Sequence, residues 1–235
     1  RHGAGVARRR FFLQRGPGME RIVVVGAGQA GASLAARLRA QGYDGRLTLV
    51  GAEPLAPYQR PPLSKQYLMG EMPLERLMLR GAEFWADQAI ELLTGRRAEA
   101  IDRDRRELRL DDGTVLGWDR LALTTGAVPL MLPEQAGGGL GNVFAVRTIA
   151  DVDAMHAAIR PEGRALIVGG GYIGLEAAAV LRKLGMEVTL IEAAERILGR
   201  VAAPETADWF RRLHARHGVE IRVGVRLERL LGEGG

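Results

Sequence analysis

Cysteine is absent from all 235 residues. Without a thiol this stretch has no disulfide framework, no thiolate metal site and no dithiol relay, so any redox chemistry it performs belongs to a bound cofactor. No apolar run approaches the length of a membrane span. Lysine is nearly absent as well: Lys65 and Lys183 stand against 31 arginines. The four histidines, His2, His156, His214 and His217, are scattered. His214 and His217 fall in a polar stretch with Arg211, Arg212 and Arg216, read as surface residues, and point to no metal site.

The excess of five positive charges is local. Residues 1–18 hold Arg1, Arg8, Arg9, Arg10 and Arg15 with no acid, leaving 28 basic and 28 acidic residues in the remainder. The body of the chain is therefore neutral and gives a nucleic-acid partner no electrostatic footprint. Met19 directly precedes the first strand-like run, so residues 1–18 read as disordered or upstream extension. A targeting peptide is the alternative, since an arginine-rich, acid-free stretch is also how transit peptides look. Phe11-Phe12-Leu13 is too short for the apolar region of a secretory signal, and the cytoplasm is the expected compartment.

What the chain does contain is two copies of one pattern. Val23-Val24-Val25 leads into Gly26-Ala27-Gly28-Gln29-Ala30-Gly31, and Leu166-Ile167-Val168 leads into Gly169-Gly170-Gly171-Tyr172-Ile173-Gly174. Both glycine sets have the spacing G-x-G-x-x-G, with the apolar run of a buried parallel strand before and a helical pattern after. In that context the first glycine permits a tight turn, the second lets a pyrophosphate approach the backbone, and the third lets helix and strand pack closely. The free N–H groups of the helix start hold the anion. Two such units predict two dinucleotides; the plainer alternative is two glycine-rich turns in an ordinary α/β sheet.

Each copy is followed by an acid. After Gly169 the strand Glu187 to Ile191 ends in Glu192, 23 positions on, close to the roughly 20 expected of a carboxylate that accepts from ribose hydroxyls. Such an end favours NAD over NADP, because it repels a 2′-phosphate. After Gly26 the nearest acid beyond the next strand is Glu53, 27 positions away, and this first site is less regular.

Between the fingerprints, residues 54–80 are broken by Pro54, Pro57, Pro61, Pro62 and Pro73 and read as a connection carrying function. Short strand-like runs follow at Ile90 to Leu93, Ala98 to Asp102, Glu107 to Leu110 and Arg120 to Thr124, with Asp111-Asp112-Gly113 as a hairpin turn. A glycine-rich linker covers Pro133 to Asn142, then come a helix over Asp151 to Ile159, the second fingerprint, a helix near Glu205 to His217 and a strand near Val219 to Val223. The fold class predicted is α/β, with two Rossmann-like dinucleotide-binding units of three-layer β/β/α type, the first including an antiparallel meander.

Taken together, Pro57-Tyr58-Gln59-Arg60-Pro61-Pro62-Leu63-Ser64-Lys65, Thr124-Thr125-Gly126-Ala127-Val128-Pro129, Arg147-Thr148 and the run Gly169 to Glu176 resemble the pyridine nucleotide-disulfide oxidoreductase superfamily. Within it they are similar to the FAD-dependent ferredoxin reductases of bacterial oxygenase systems, of the putidaredoxin and rubredoxin reductase type. The resemblance runs almost continuously from Met19 to Gly235. It implies an oxidoreductase, a flavoprotein in which NADH gives a hydride to FAD and electrons pass singly to a ferredoxin or rubredoxin. It implies an FAD-binding domain over 19-132 and an NAD(H)-binding domain over 143-235.

Carried onto this sequence, the resemblance implies that Gly26, Gly28, Ala30 and Gly31 hold the FAD pyrophosphate, with Glu53 on the ribose. Many relatives have that acid one place earlier, where this chain has Ala52. Arg60, Lys65, Ala98, Thr125, Gly126 and Arg147 match further FAD contacts, while Gly169, Gly171, Tyr172, Ile173, Gly174 and Glu192 belong to the NAD(H) site. Lys65 and Glu176 are the candidate catalytic residues, a cation beside the flavin and a carboxylate that pairs with it where nicotinamide meets flavin. The alternatives are a solvated Lys65 and a Glu176 that complements the dipole of the helix start. Arg60 reads equally well as a rim salt bridge.

Family members are much longer, and the sequence ends after the opening βαβ of its second unit and one more strand, so a C-terminally truncated fragment is expected. Three other readings stay open: an apoptosis-inducing-factor-like NADH oxidoreductase, a nitrite-reductase-type subunit, and a non-catalytic nucleotide-binding fragment. Neither the electron acceptor nor the oligomeric state is written in these residues.

Overall fold

The chain is described from residue 20 to residue 232 by a computed structural model, and the readings of residues 1–18 lie outside the described residues. Two compact units result. The first comprises the chain up to Gln59 together with Leu77–Ala127, and the second Arg60–Arg76 together with Val128 onward. Residues 60–76, which the sequence reading kept within 19-132, thus group with the second unit.

The first unit carries strands β1 (Arg21–Val25), β2 (Arg46–Val50), β3 (Ile90–Leu93), β4 (Ala98–Asp102), β5 (Glu107–Leu110), β6 (Val115–Gly117) and β7 (Arg120–Leu123). Helices α1 (Gln29–Ala40) and the single-turn α2 (Phe84–Asp87) belong to it as well. Strands β3, β2, β1 and β7 form a parallel sheet in that order, with Val24 registered against Leu49 on one side and Ala122 on the other. The antiparallel meander is β4-β5-β6. β3 and β7, which the sequence lists among the same short runs, flank the parallel sheet instead. β6 is three residues long, too short to show a period of two.

Both faces of the parallel sheet are covered, which is why its strands read as continuous apolar runs. Val24, Leu47 and Leu49 pack with Ala32, Ala35, Trp85 and Ile90 on the helical side. Val23, Val25 and Val50 pack with Leu108 and Leu110 of the meander on the other. Helices, parallel sheet and antiparallel sheet make the three layers predicted.

The second unit adds α3 (Ile149–Ala158), β8 (Arg164–Val168), α4 (Tyr172–Lys183), β9 (Glu187–Glu192), α5 (Pro204–Arg216) and β10 (Val219–Val223). Its parallel sheet has the order β10-β9-β8. Leu175, Ala178 and Leu181 of α4 and Ala207 of α5 pack on Val188, Leu190 and Val219. β8 departs from the expectation of a strand buried on both faces: Ala165 and Ile167 pack on that core, while Leu166 and Val168 are 48% and 53% exposed. Among the described residues only one face of this strand has a covering layer. No helix among them is long and apolar enough to cross a membrane.

Candidate functional site

The two glycine turns share one backbone signature. Gly26 and Gly169 both have φ +111°, a conformation that L side chains rarely adopt. Each turn is tied to the strand next to its own: Gly26 N–H donates to Val50 O and Gly169 N–H to Ile191 O, both at 2.8 Å. The third glycines are forced by packing, since a Cβ on Gly31 would lie 2.0 Å from Gly26 O and one on Gly174 2.1 Å from Gly169 O. The middle glycines differ. A Cβ on Gly28 or on Gly171 would meet nothing within 4 Å.

Packing therefore does not require glycine at those two positions, whereas a ligand approaching the backbone would. Gly28 and Gly171 are also the extended N-caps of α1 and α4, and neither helix start receives a side-chain cap. α3 shows the contrast, its start closed by a capping box of Thr148 and Asp151. Two uncapped helix starts, each with room at the preceding glycine, fit the pyrophosphates of two dinucleotides.

The acids after the fingerprints are held differently. Glu192 Oε2 accepts from Gly170 N–H and its Oε1 from Ala194 N–H, both at 2.8 Å, which fixes the carboxylate at the second glycine turn. Glu53 is partly buried and accepts from the hydroxyl of buried Tyr58. The chain around Glu53 is stitched by Gly95 N–H to Glu53 O at 2.8 Å and Arg96 N–H to Gly51 O at 2.9 Å. Ala98 follows at the start of β4, beside an irregularity in its pairing with β5. Thr125 and Gly126 are exposed in the loop after β7, and Gly126 has φ +70°.

Within the second unit the structure brings Lys65 and Glu176 together. The turn that delivers Lys65 is a 3-10 helix over Pro61–Ser64, whose two prolines preset φ and need no amide partner. Lys65 Nζ donates to Glu176 Oε2 at 2.7 Å and to Pro61 O at 3.0 Å. Ser64 Oγ donates to the same Glu176 oxygen at 2.5 Å. Glu176 is the fifth residue of α4, whose first turn has no acid, so complementing the helix dipole, which acts within that turn, is not its role. Arg60 Nη1 donates to the carbonyl of Arg147, bringing those two expected residues together. Tyr172 and Ile173, first in α4, are 56% and 55% exposed.

Several contributors escape sequence reasoning. Thr124 Oγ1, just beyond the end of β7, donates to Gly26 O at 2.9 Å and closes the first turn. Its place beside Thr125 in the quoted motif is the one signal for it. Leu198 N–H donates to Gly170 O at 2.8 Å, and no pattern marks Leu198. Three further bonds hold the segment carrying Lys65 to α3 and α4. They are Tyr67 Oη to Asp153 Oδ1 at 2.8 Å, His156 Nδ1 against Leu68 O at 2.9 Å, and Lys183 Nζ to Glu71 Oε1 at 2.8 Å. Burial and the Asp153 carboxylate push the Tyr67 phenol up to about 12. Among the described residues no cluster of acids and histidines could hold a metal ion.

Comparison with known proteins agrees with this geometry. The chain is 44% identical over 214 residues to a ferredoxin–NAD(P)(+) reductase of Sphingomonas sp, covering 91% of this chain and 51% of the relative. To putidaredoxin reductase of Pseudomonas putida it is 42% identical over 210 residues, covering 88% and 50%. Among solved structures, the covalent putidaredoxin reductase–putidaredoxin complex matches with a TM-score of 0.85 at 42% identity, covering 88% of this chain and 50% of that one. A ferredoxin reductase from Rhodopseudomonas palustris matches with a TM-score of 0.88 at 38% identity, covering 92% and 53%. The chain thus spans about half the length of the curated relatives it matches. The model of the pyridine nucleotide-disulphide oxidoreductases matches residues 20–235, and the chain belongs to that family.

Proposed function

We propose that the protein is the NADH-oxidising, FAD-dependent reductase of a ferredoxin or rubredoxin, working in an oxygenase system. The observation that carries this reading is the repetition of one turn geometry. Gly26 and Gly169 share φ +111°, and Gly28 and Gly171 both leave open space at an uncapped helix start. One turn suits each of two dinucleotides.

On this reading Gly26, Gly28, Ala30 and Gly31, with Glu53, Ala98, Thr125 and Gly126, hold FAD. Gly169, Gly171, Tyr172, Ile173, Gly174 and Glu192 hold NADH, and Glu192 disfavours a 2′-phosphate. Arg60, Lys65 and Arg147, which the resemblance makes FAD contacts, are grouped with the second unit. Bound there, FAD would take a hydride from NADH and release electrons singly, chemistry that side chains alone do not supply. What the chain provides is orientation. The Lys65–Glu176 pair sets a cation beside a carboxylate at the second fingerprint helix, and hydride transfer depends on positioning more than on proton transfer. The absence of cysteine from these residues leaves them no thiol relay.

The ferredoxin partner is supported by the relatives, several of which are named as ferredoxin reductases of oxygenase systems. The test is the visible spectrum of the purified full-length protein under anaerobic titration. Yellow protein bleached by NADH and recoloured by a ferredoxin is the expected result. Colourless protein that binds NADH overturns the reading in favour of a nucleotide-binding module.

A further inference from the structure

Among the described residues three polar side chains are buried: Thr48, Ser64 and His214. Ser64 is the one that touches the candidate site. Its Oγ donates to Glu176 Oε2, the oxygen that also accepts from Lys65 Nζ, and Oε1 of Glu176 accepts no hydrogen bond among the described residues.

The two donors on that oxygen are unequal. The Lys65 and Glu176 side chains are 41% and 31% exposed, and an ion pair so open to water is weak and has rotamer freedom to lose. Lys65 also divides its donors with Pro61 O. Ser64 has a single side-chain torsion, sits in a turn whose backbone is preset by Pro61 and Pro62, and is 4% exposed. Its hydrogen bond to a charged acceptor is sheltered from competing water and belongs to the stronger, charge-assisted class. We propose that Ser64, more than Lys65, is the positioning residue of Glu176, locking Oε2 so that Oε1 faces a donor of the nicotinamide nucleotide. The identity of that ligand rests on the proposed function; the orientation of the carboxylate does not.

The experiment is a double-mutant cycle read as NAD+ affinity by calorimetry on the full-length oxidised protein, together with the crystal structure of Lys65→Met. Ser64→Ala is expected to weaken NAD+ about fivefold to tenfold, and Ser64→Thr, which keeps the hydroxyl, to stay within about twofold of the parent. In a Glu176→Ala background the same Ser64→Ala change should alter affinity by less than about twofold, because the group it positions is gone. In Lys65→Met the Glu176 carboxylate should keep its place against Ser64 Oγ.

An unchanged affinity in folded Ser64→Ala, or an equal loss with and without Glu176, overturns the proposal. So does a displaced Glu176 in Lys65→Met, a result that needs neither ligand nor a folded Ser64→Ala. Full-length protein that binds NAD+ yet holds no flavin defeats the functional reading alone and leaves the cycle decisive. Protein that binds no NAD+ also defeats that reading, and the Lys65→Met structure then decides for Ser64.

Discussion

The backbone N–H of Gly170 donates to Glu192 Oε2 at 2.8 Å, so the carboxylate that ends β9 is pinned to the second glycine turn. The other oxygen accepts from Ala194 N–H at the same distance. One amide per oxygen leaves each oxygen further acceptor capacity, which on the proposed reading serves ribose hydroxyls and sets a negative charge against a 2′-phosphate. Replacing Glu192 by glutamine keeps the shape and removes the charge, but its NH2 must then oppose one of the two backbone N–H groups. We expect Glu192→Gln to lower stability by roughly 1–2 kcal/mol. The preference for NADH over NADPH should fall by about tenfold, the ratio that 1.4 kcal/mol of lost repulsion sets. Chemical denaturation and paired NADH and NADPH titrations of the full-length protein check the two effects. An unchanged preference would remove Glu192 from the ribose site.

The glycines of each fingerprint should separate into two phenotypes. At Gly31 and Gly174 a Cβ would overlap the carbonyl of the first glycine, at 2.0 Å and 2.1 Å, and backbone cannot swing aside as a side chain can. Alanine there should cost roughly 3 kcal/mol, the upper range for overpacking. At Gly28 and Gly171 there is nothing within 4 Å to hit, so alanine should change stability by less than about 1 kcal/mol, the scale of an N-cap exchange. Nucleotide affinity should nevertheless drop at these open positions, because on the proposed reading the added methyl would stand where the pyrophosphate approaches. Thermal midpoints together with nucleotide titrations separate the classes, and equal destabilisation at all four sites would contradict the packing account.

This division also shows why some of the molecule is legible in its sequence. The fingerprints could be read because the glycine spacing, the apolar run before it and the helical pattern after it are all local. The α/β order follows from the same local patterns, whereas the pairing of Lys65 with Glu176, 111 positions apart, was legible only through the resemblance to a known family. The contacts that close the turns were not legible: Thr124 reaches Gly26 O across 98 positions, and Leu198 donates to Gly170 O from a segment with no periodicity. Assignment of Ile90–Leu93 and Arg120–Leu123 to the parallel sheet was equally hidden, since a short apolar run looks the same in either kind of sheet. Burial on both faces was over-read for β8, because an apolar residue states what it tolerates, not what covers it.

His214 is a further case in which composition misleads. Its arginine-rich surroundings suggest a surface residue, yet it is 9% exposed, with Nδ1 at 2.9 Å from Phe210 O and Nε2 at 3.1 Å from Leu175 O. A helix surrounded by charge still has one face turned inward, and His214 lies with Ala207 on that face of α5. The ring therefore links α5 to the helix of the second fingerprint. His214→Ala removes a buried ring and at least one hydrogen bond, so a loss of about 2–3 kcal/mol is expected. Neighbouring exposed positions such as Arg212 should stay within about 0.5 kcal/mol. Urea denaturation of the two variants makes the comparison, and equal small effects would return His214 to the surface.

Tyr67 supplies a pH dependence with a definite sign. Its hydroxyl donates to Asp153 Oδ1 at 2.8 Å, and burial, then the hydrogen bond and the charge of Asp153, raise the phenol from 10.0 to about 12. A folded value above the unfolded one means that the fold favours the neutral phenol. Its stabilising contribution is therefore complete below pH 10 and is lost as the pH rises from 10 towards 12. Throughout the neutral range the bond holds the segment carrying Lys65 against α3 without a proton-linked cost. Spectrophotometric titration should show a late tyrosine transition near 12 that disappears in Tyr67→Phe and moves back towards 10 in Asp153→Asn. A transition that stays wholly unmoved in Asp153→Asn would assign the shift to burial alone and leave the Asp153 carboxylate no part in it.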